Sequence, residues 1–170
     1  MKRRCAMMTR EQLLDRVPPC GLICYTCPGF KDGAIKEHSA ALIKLYEGYH
    51  EFLDKRLPEE YRYVLEEHDS HIKSLKKAAD SSCPGCRKSD GSGPGCIKGC
   101  FIPACVKEHK VEFCGECAKF PCGRIKESNI YGEGVKKDFY EGSLLIKEQG
   151  AEKFFDIRKN ISHYISNEKE

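Results

Sequence analysis

CPGCRKSDGSGPGCIKGCFIPACVKEHKVEFCGECAKFPC, residues 83–122, sets eight cysteines into forty positions with almost no regular apolar pattern. Its apolar residues are few: Ile97, Phe101, Ile102, Val106, Val111, Phe113 and Phe120. Gly91, Gly93, Pro94, Gly95 and Gly99 favour turns over regular elements. A segment with so little to bury does not offset its own chain entropy, and at this size metals or disulfides supply the missing stability. The segment is therefore expected to be irregular and stapled by metal.

Outside it, the pattern is helical. Thr9 followed by Gln12 reads as a capping box before Leu13, Leu14 and Val17, and Pro18 and Pro19 stop that run. Apolar residues recur at helical spacing at Ile35, Leu42, Leu45, Tyr46, Tyr49, Phe52 and Leu53. Pro58 with Glu59 and Glu60 reads as a helix first turn, and Tyr61, Val64, Leu65, Ile72, Leu75 and Ala79 continue the period. These two runs predict a helical hairpin. Val135, Phe139, Leu144, Leu145 and Ile146 predict a further helix with Gly150 as its C′ residue. Phe154, Phe155, Ile157, Ile161, Tyr164 and Ile165 predict a last one, while Gly132-Glu133-Gly134 reads as a loop.

No strand, internal repeat or low-complexity tract stands out. The expectation is a mainly α protein, a small helical domain with an irregular metal-stapled cysteine-rich insert. A single domain covers 1–170. Within it, 9–82 holds the leading helix, a cysteine knot and the hairpin, 83–122 the cysteine-rich segment, and 123–170 the C-terminal helices.

Length and charge bound the function. The chain has 170 residues, enough for a sizeable core, and 29 Lys and Arg against 26 Asp and Glu give a formal charge of only +3. Nucleic acid is thus not indicated by net charge. Met1 to Arg10 carries basic residues with no apolar run behind them, and no later stretch approaches the ~20 apolar residues needed to span a bilayer. A soluble cytoplasmic protein is expected, in which thiols stay reduced and a dense cysteine pattern binds metal rather than forming disulfides.

Zinc takes four ligands in a tetrahedron, and two cysteines separated by two residues grip one ion through a tight knuckle. Three such pairs occur: Cys24 with Cys27, Cys83 with Cys86, and Cys114 with Cys117. Cys96, Cys100, Cys105 and Cys122 complete eight thiols in the segment, enough for two four-thiolate sites. Spacing does not fix the partition. Cys83 and Cys86 with Cys96 and Cys100, leaving Cys105, Cys114, Cys117 and Cys122, is one arrangement, and interleaved ones are equally allowed.

Cys20, Cys24 and Cys27 form a C-x3-C-x2-C triad that needs a fourth ligand. Cys5, His109 or a cysteine borrowed from the segment closes it, or a water leaves it open as a catalytic-type site; closure is the preferred reading. Arg87, Lys88, Lys98, Lys107, Lys110, Lys119 and Arg124 are available to balance thiolate charge, or form a solvated basic face.

Two or three zinc ions follow. Iron-sulfur clusters also use four thiolates and are the alternative cofactor, since C-x3-C-x2-C is the spacing by which radical enzymes hold a cluster. Such enzymes are built on a larger barrel of alternating strands and helices, and this chain shows no βα alternation. His68 and His71 read as an exposed or half-buried pair rather than ligands. No P-loop, G-x-S-x-G or nucleophile and base pair presents itself, so a reaction is not indicated.

Together the motifs resemble the cysteine-rich prokaryotic family known as domain of unknown function 3795. The resemblance rests on Pro19-Cys20-Gly21-Leu22-Ile23-Cys24 through Cys27, on Cys83-Pro84-Gly85-Cys86-Arg87, and on Cys100 and Cys105 through Val111-Glu112-Phe113-Cys114-Gly115-Glu116-Cys117 to Phe120-Pro121-Cys122. It covers most of 18–155, including Leu145-Ile146-Lys147-Glu148-Gln149-Gly150. It implies a compact domain with metal-type cysteines and no reaction. Cys96 adds to the family's usual set, and Cys5, outside the match, reads as a free thiol.

The leading expectation is a non-enzymatic zinc protein whose metal supports a surface for a protein partner. The alternatives are an iron-sulfur or thiol redox protein, and a metalloenzyme with an open three-cysteine site.

Overall fold

The computed structural model describes residues 8–88 and 97–162. Cys5, Cys96, the Gly91–Gly95 turn and the expected end of the last helix at Tyr164 and Ile165 lie outside them. Among the described residues the chain is mainly helical with no strand; one parallel bridge joins Phe30 to Cys83.

α1 spans Arg10–Arg16 and opens on the expected capping box: Thr9 Oγ1 accepts from the Gln12 N–H, and the Gln12 side chain accepts from the Thr9 N–H. The first long apolar run does not form one helix. It divides into α2, Ala34–Leu45, and α3, Tyr49–Asp54, because Gly48 adopts φ 79°, a left-handed turn only glycine takes without strain. Pro58, Glu59 and Glu60 lead into a 3-10 turn, Glu59–Tyr61, and α4 runs Tyr63–Ala79. α2 and α3 pack on α4 as the predicted hairpin.

The cysteine-rich segment is less irregular than expected. α5, Ile102–Glu108, buries Ile102 and Val106 four residues apart on one face. Pro103 in its first turn costs no hydrogen bond, since first-turn N–H groups have no helical partner. A 3-10 turn over Cys114–Glu116 follows within the segment, and the single turn α6, Gly123–Lys126, stands just after it.

α7 spans Glu133–Gln149, so Glu133 and Gly134 belong to its first turn rather than to a loop; an acidic residue there is favoured by the helix dipole. Gly150 separates it from α8, Ala151–Arg158. No helix among the described residues is long and apolar enough to cross a membrane.

The core lies away from the hairpin. One cluster joins Leu13 and Val17 of the α1 region, Ile23, Phe113, Ile146 of α7, and Ala151, Phe154 and Phe155 of α8. A second joins Cys20, Ile102, Val106, Tyr131 and Phe139. Burying one such phenylalanine contributes about 1.5–3 kcal/mol, so these clusters anchor both cysteine-bearing segments onto α7.

Candidate metal centre

Two groups of thiols assemble, each on turns fixed by backbone hydrogen bonds. In the first, α1 ends at Val17 and the chain doubles back, with the Cys24 N–H donating to the Arg16 carbonyl at 2.8 Å. The Cys27 N–H then donates to the Cys24 carbonyl at 2.9 Å, closing the knuckle. The Phe30 bridge brings the segment in: Lys31 N–H donates to Cys83 O and Cys83 N–H to Gly29 O, both at 3.0 Å. This carries Cys86 to the triad, where its side chain hydrogen-bonds with that of Cys24.

Cys20 is 7% exposed, and its thiol pKa is pushed far up, first by burial and then by the nearness of Cys86 and Cys100. Cys24 is raised as well, first through the hydrogen bond with Cys86, then by burial and by Cys86, Cys20 and Cys27. Cys20, Cys24, Cys27 and Cys86 thus share one electrostatic neighbourhood, with Cys100 at its edge beside Cys20. A cysteine of the segment, Cys86, therefore lies next to the triad.

The second group is built by α5 and the turns after it. Cys105 lies in α5, Cys114 opens the 3-10 turn and Cys117 follows it, and Cys122 caps α6. The Cys117 N–H donates to Cys114 O at 3.2 Å and Phe120 N–H to Cys117 O at 2.9 Å. The four line one cavity of about 290 Å³ together with His109 and Arg124. Burial, then Cys122, Cys105 and Cys117, push the Cys114 thiol up to about 12. His109 therefore stands by the second group and not by the triad.

Raised thiol pKa values mean that the metal-free fold favours neutral thiols. A bound dication reverses that preference by holding thiolates ionised. Among the described residues no group of three or more His, Cys, Asp or Glu is arranged to hold a metal ion as it stands. Loading either group therefore requires its sulfurs to draw together. None of the ten described cysteines is in a disulfide.

Two orphaned polar atoms bear on the fit. Arg87 Nη2, next to Cys86, and Thr26 Oγ1, between Cys24 and Cys27, are buried without a hydrogen-bond partner. Buried donors are nearly always satisfied, and Arg87, which is within electrostatic reach of Cys20, could donate to an electron-rich centre there.

The remaining residues singled out from sequence fall elsewhere. Cys100 neighbours Cys20 and accepts from the buried Tyr131 hydroxyl at 3.2 Å. Cys83 forms the backbone bridge. His68 and His71 both pack against Tyr46, tilted and edge-on, at 5.5 and 5.8 Å between ring centroids. Of the cations, Arg124 lies over the Phe101 ring at 4.2 Å, Lys119 lines the second cavity, and Lys88 pairs with Asp15.

Sequence reasoning missed what joins the groups. Gly21, Gly115 and the Gly142-Ser143 step of α7 meet backbone to backbone, so a Cβ on Gly142 would overlap the Gly21 carbonyl and one on Gly115 the Ser143 carbonyl. Ser143 Oγ donates to Cys20 O at 3.2 Å, and the Cys114 N–H donates to Pro19 O at 2.8 Å. The available signal was glycine directly after a cysteine in both Cys20-Gly21 and Cys114-Gly115.

A helical body carrying two clusters of thiols is the class of protein these observations define. The family model for "Protein of unknown function (DUF3795)" matches residues 16–127, more than half the chain, and the chain belongs to that family. No curated protein and no solved structure matches it significantly.

Proposed function

We propose that the chain is a zinc-binding protein, with one ion held by Cys20, Cys24, Cys27 and Cys86 and a second by Cys105, Cys114, Cys117 and Cys122. The observation that carries this reading is the gathering of the thiols into two neighbourhoods, Cys20, Cys24, Cys27 and Cys86 with Cys100 beside Cys20, and Cys105, Cys114, Cys117 and Cys122, each with the four sulfurs that a closed zinc site takes. The metal is structural. It staples turns whose apolar content is low, and a reducing cytoplasm keeps the thiols available for it. A protein partner is met on the hairpin, where Leu42, Leu45, Tyr49 and Phe52 are 40%, 81%, 41% and 48% exposed.

A second reading has one supporting observation of its own. The C-x3-C-x2-C spacing, with Cys86 beside it as a fourth thiol, also suits an iron-sulfur cluster, which spreads its thiolates over several irons.

Elemental mass spectrometry with a visible spectrum, on protein purified without oxygen and without a metal-affinity tag, separates the readings. Two zinc per chain and no colour are expected. Iron with acid-labile sulfide transfers the first group to the second reading, and a metal-free chain that takes up neither ion on reconstitution refutes both.

A further inference from the structure

We infer that Arg87 is the positioning residue of the first cysteine group, its guanidinium anchored at one end so that Nη2 is offered to the charge of that group. The inference rests on the proposed metal at Cys20, Cys24, Cys27 and Cys86. Arg87 directly follows Cys86. Its Nε donates to the Leu14 carbonyl at 3.1 Å, and its guanidinium carbon lies 4.8 Å from the Phe113 ring centroid. These two contacts fix the fork. Nη2 is left buried without a partner, a costly state for a cationic donor.

The nearby acids do not account for it. Glu112 and Glu116 are within electrostatic reach of Arg87, but Glu112 is ion-paired with Arg10, and a Glu116 carboxylate oxygen accepts from the N–H groups of Glu112 and Phe113 at 3.0 Å each. The remaining anionic candidate within reach is the Cys20 group. A tetrathiolate around a dication carries a net negative charge and outward-facing sulfur lone pairs, the acceptor that an orphaned guanidinium N–H lacks. Arg87 also touches the second group's support, since Phe113 directly precedes Cys114. The basic residues in and just after the segment therefore differ in kind: Lys88 pairs with Asp15 at the surface, Arg124 lies over Phe101, and Arg87 is turned inward.

The test loads the full-length reduced chain with Co²⁺ and compares wild type, Arg87→Gln and Arg87→Lys. Cys24→Ser and Cys117→Ser chains assign the thiolate-to-cobalt absorption bands to the two groups. Loss of such an outer-shell contact typically weakens metal binding about 10- to 100-fold. Arg87→Gln is expected to release Co²⁺ from the first group to a competing chelator at least about tenfold faster, to shift that group's charge-transfer band, and to leave the second group's band in place. Arg87→Lys, which keeps the charge and loses the fork, is expected to fall between.

Wild-type rate and band in Arg87→Gln overturn the inference while the metal reading stands. Equal weakening of both groups with an unmoved first-group band also overturns it, because Arg87 then only braces Phe113. A wild-type chain with no Co²⁺ band that Cys24→Ser removes overturns the metal reading and this inference with it. If Arg87→Gln does not fold, Arg87→Lys carries the same comparison of band and release rate.

Discussion

In the hairpin Leu53, 7% exposed, is the one buried apolar side chain, and α4 buries none of its residues. Around the cysteine groups Leu13, Val17, Ile23, Ile102, Phe113, Phe139 and Phe154 are each 2% exposed or less. The hairpin is held by the mutual packing of α2, α3 and α4, by aromatic contacts such as Tyr46 with His68, and by a few surface ion pairs such as Arg62 with Asp54. The body is held by apolar clusters and close backbone approach, and it carries the ten described thiols. The residues with the poorest local propensity sit in the most tightly packed part of the molecule.

Metal removal should separate the two regions most. Structural zinc contributes roughly 10–16 kcal/mol in zinc-finger peptides at neutral pH. A strong chelator acting on the reduced chain should therefore abolish amide-exchange protection at Phe113 and at Cys27, while helical signal from α2 and α4 persists. Unchanged protection at Phe113 after verified metal loss would mean that the apolar clusters alone hold the body.

The next largest effect probes the glycine contact. Gly142→Ala sets a methyl group onto the Gly21 carbonyl, and both partners are backbone that no rotamer change can move aside. Overpacking of this kind costs typically 1–3 kcal/mol and occasionally more, and about 3 kcal/mol is expected here by urea denaturation. Gly134→Ala, where a Cβ meets nothing within 4 Å, is the control on the same helix. It should be neutral or slightly stabilising, as glycine is a poor helix former.

This contrast also marks what could be read from the sequence. The α1 capping box, the hairpin and the two C-terminal helices follow from apolar period and cap residues, because those signals are local. The gathering of Cys20, Cys24 and Cys27 was legible in their spacing, but the approach of Cys86 to them depends on the Phe30 to Cys83 bridge, a pairing across more than fifty residues with no periodic signature. The break at Gly48 and the helical start at Glu133 were misread for the opposite reason. There, single residues outweighed the surrounding pattern.

The thiols supply a pH test of the body. Cys20, Cys24 and Cys114 have raised pKa values in the metal-free fold, so the unfolded chain gives up its protons first as pH rises. Stability contributed by the neutral thiols is therefore complete below the ordinary thiol pKa of about 8.5. It falls as pH rises beyond that, through the Cys114 value of about 12 and past it for Cys20. Denaturation midpoints of the metal-free chain should decline across this alkaline window. The metal-loaded chain, whose thiolates are already ionised, should show no such thiol-linked decline, and parallel profiles for the two forms would detach the thiols from the metal.

The smallest expected change is in the hairpin, and it sharpens the comparison through its smallness. Leu45 is 81% exposed, so Leu45→Asp removes little buried apolar area and should alter the stability of the isolated chain by no more than about 0.5 kcal/mol. The same chemical change at Phe113, which is 0% exposed, would place a charge in the core and prevent folding of the body. Thermal denaturation at low and high protein concentration reads the difference. A Leu45→Asp cost well above 1 kcal/mol that grows with concentration would show that the stripe of Leu42, Leu45, Tyr49 and Phe52 is covered by another copy in solution. A null effect leaves the stripe open, as a surface for a different protein requires.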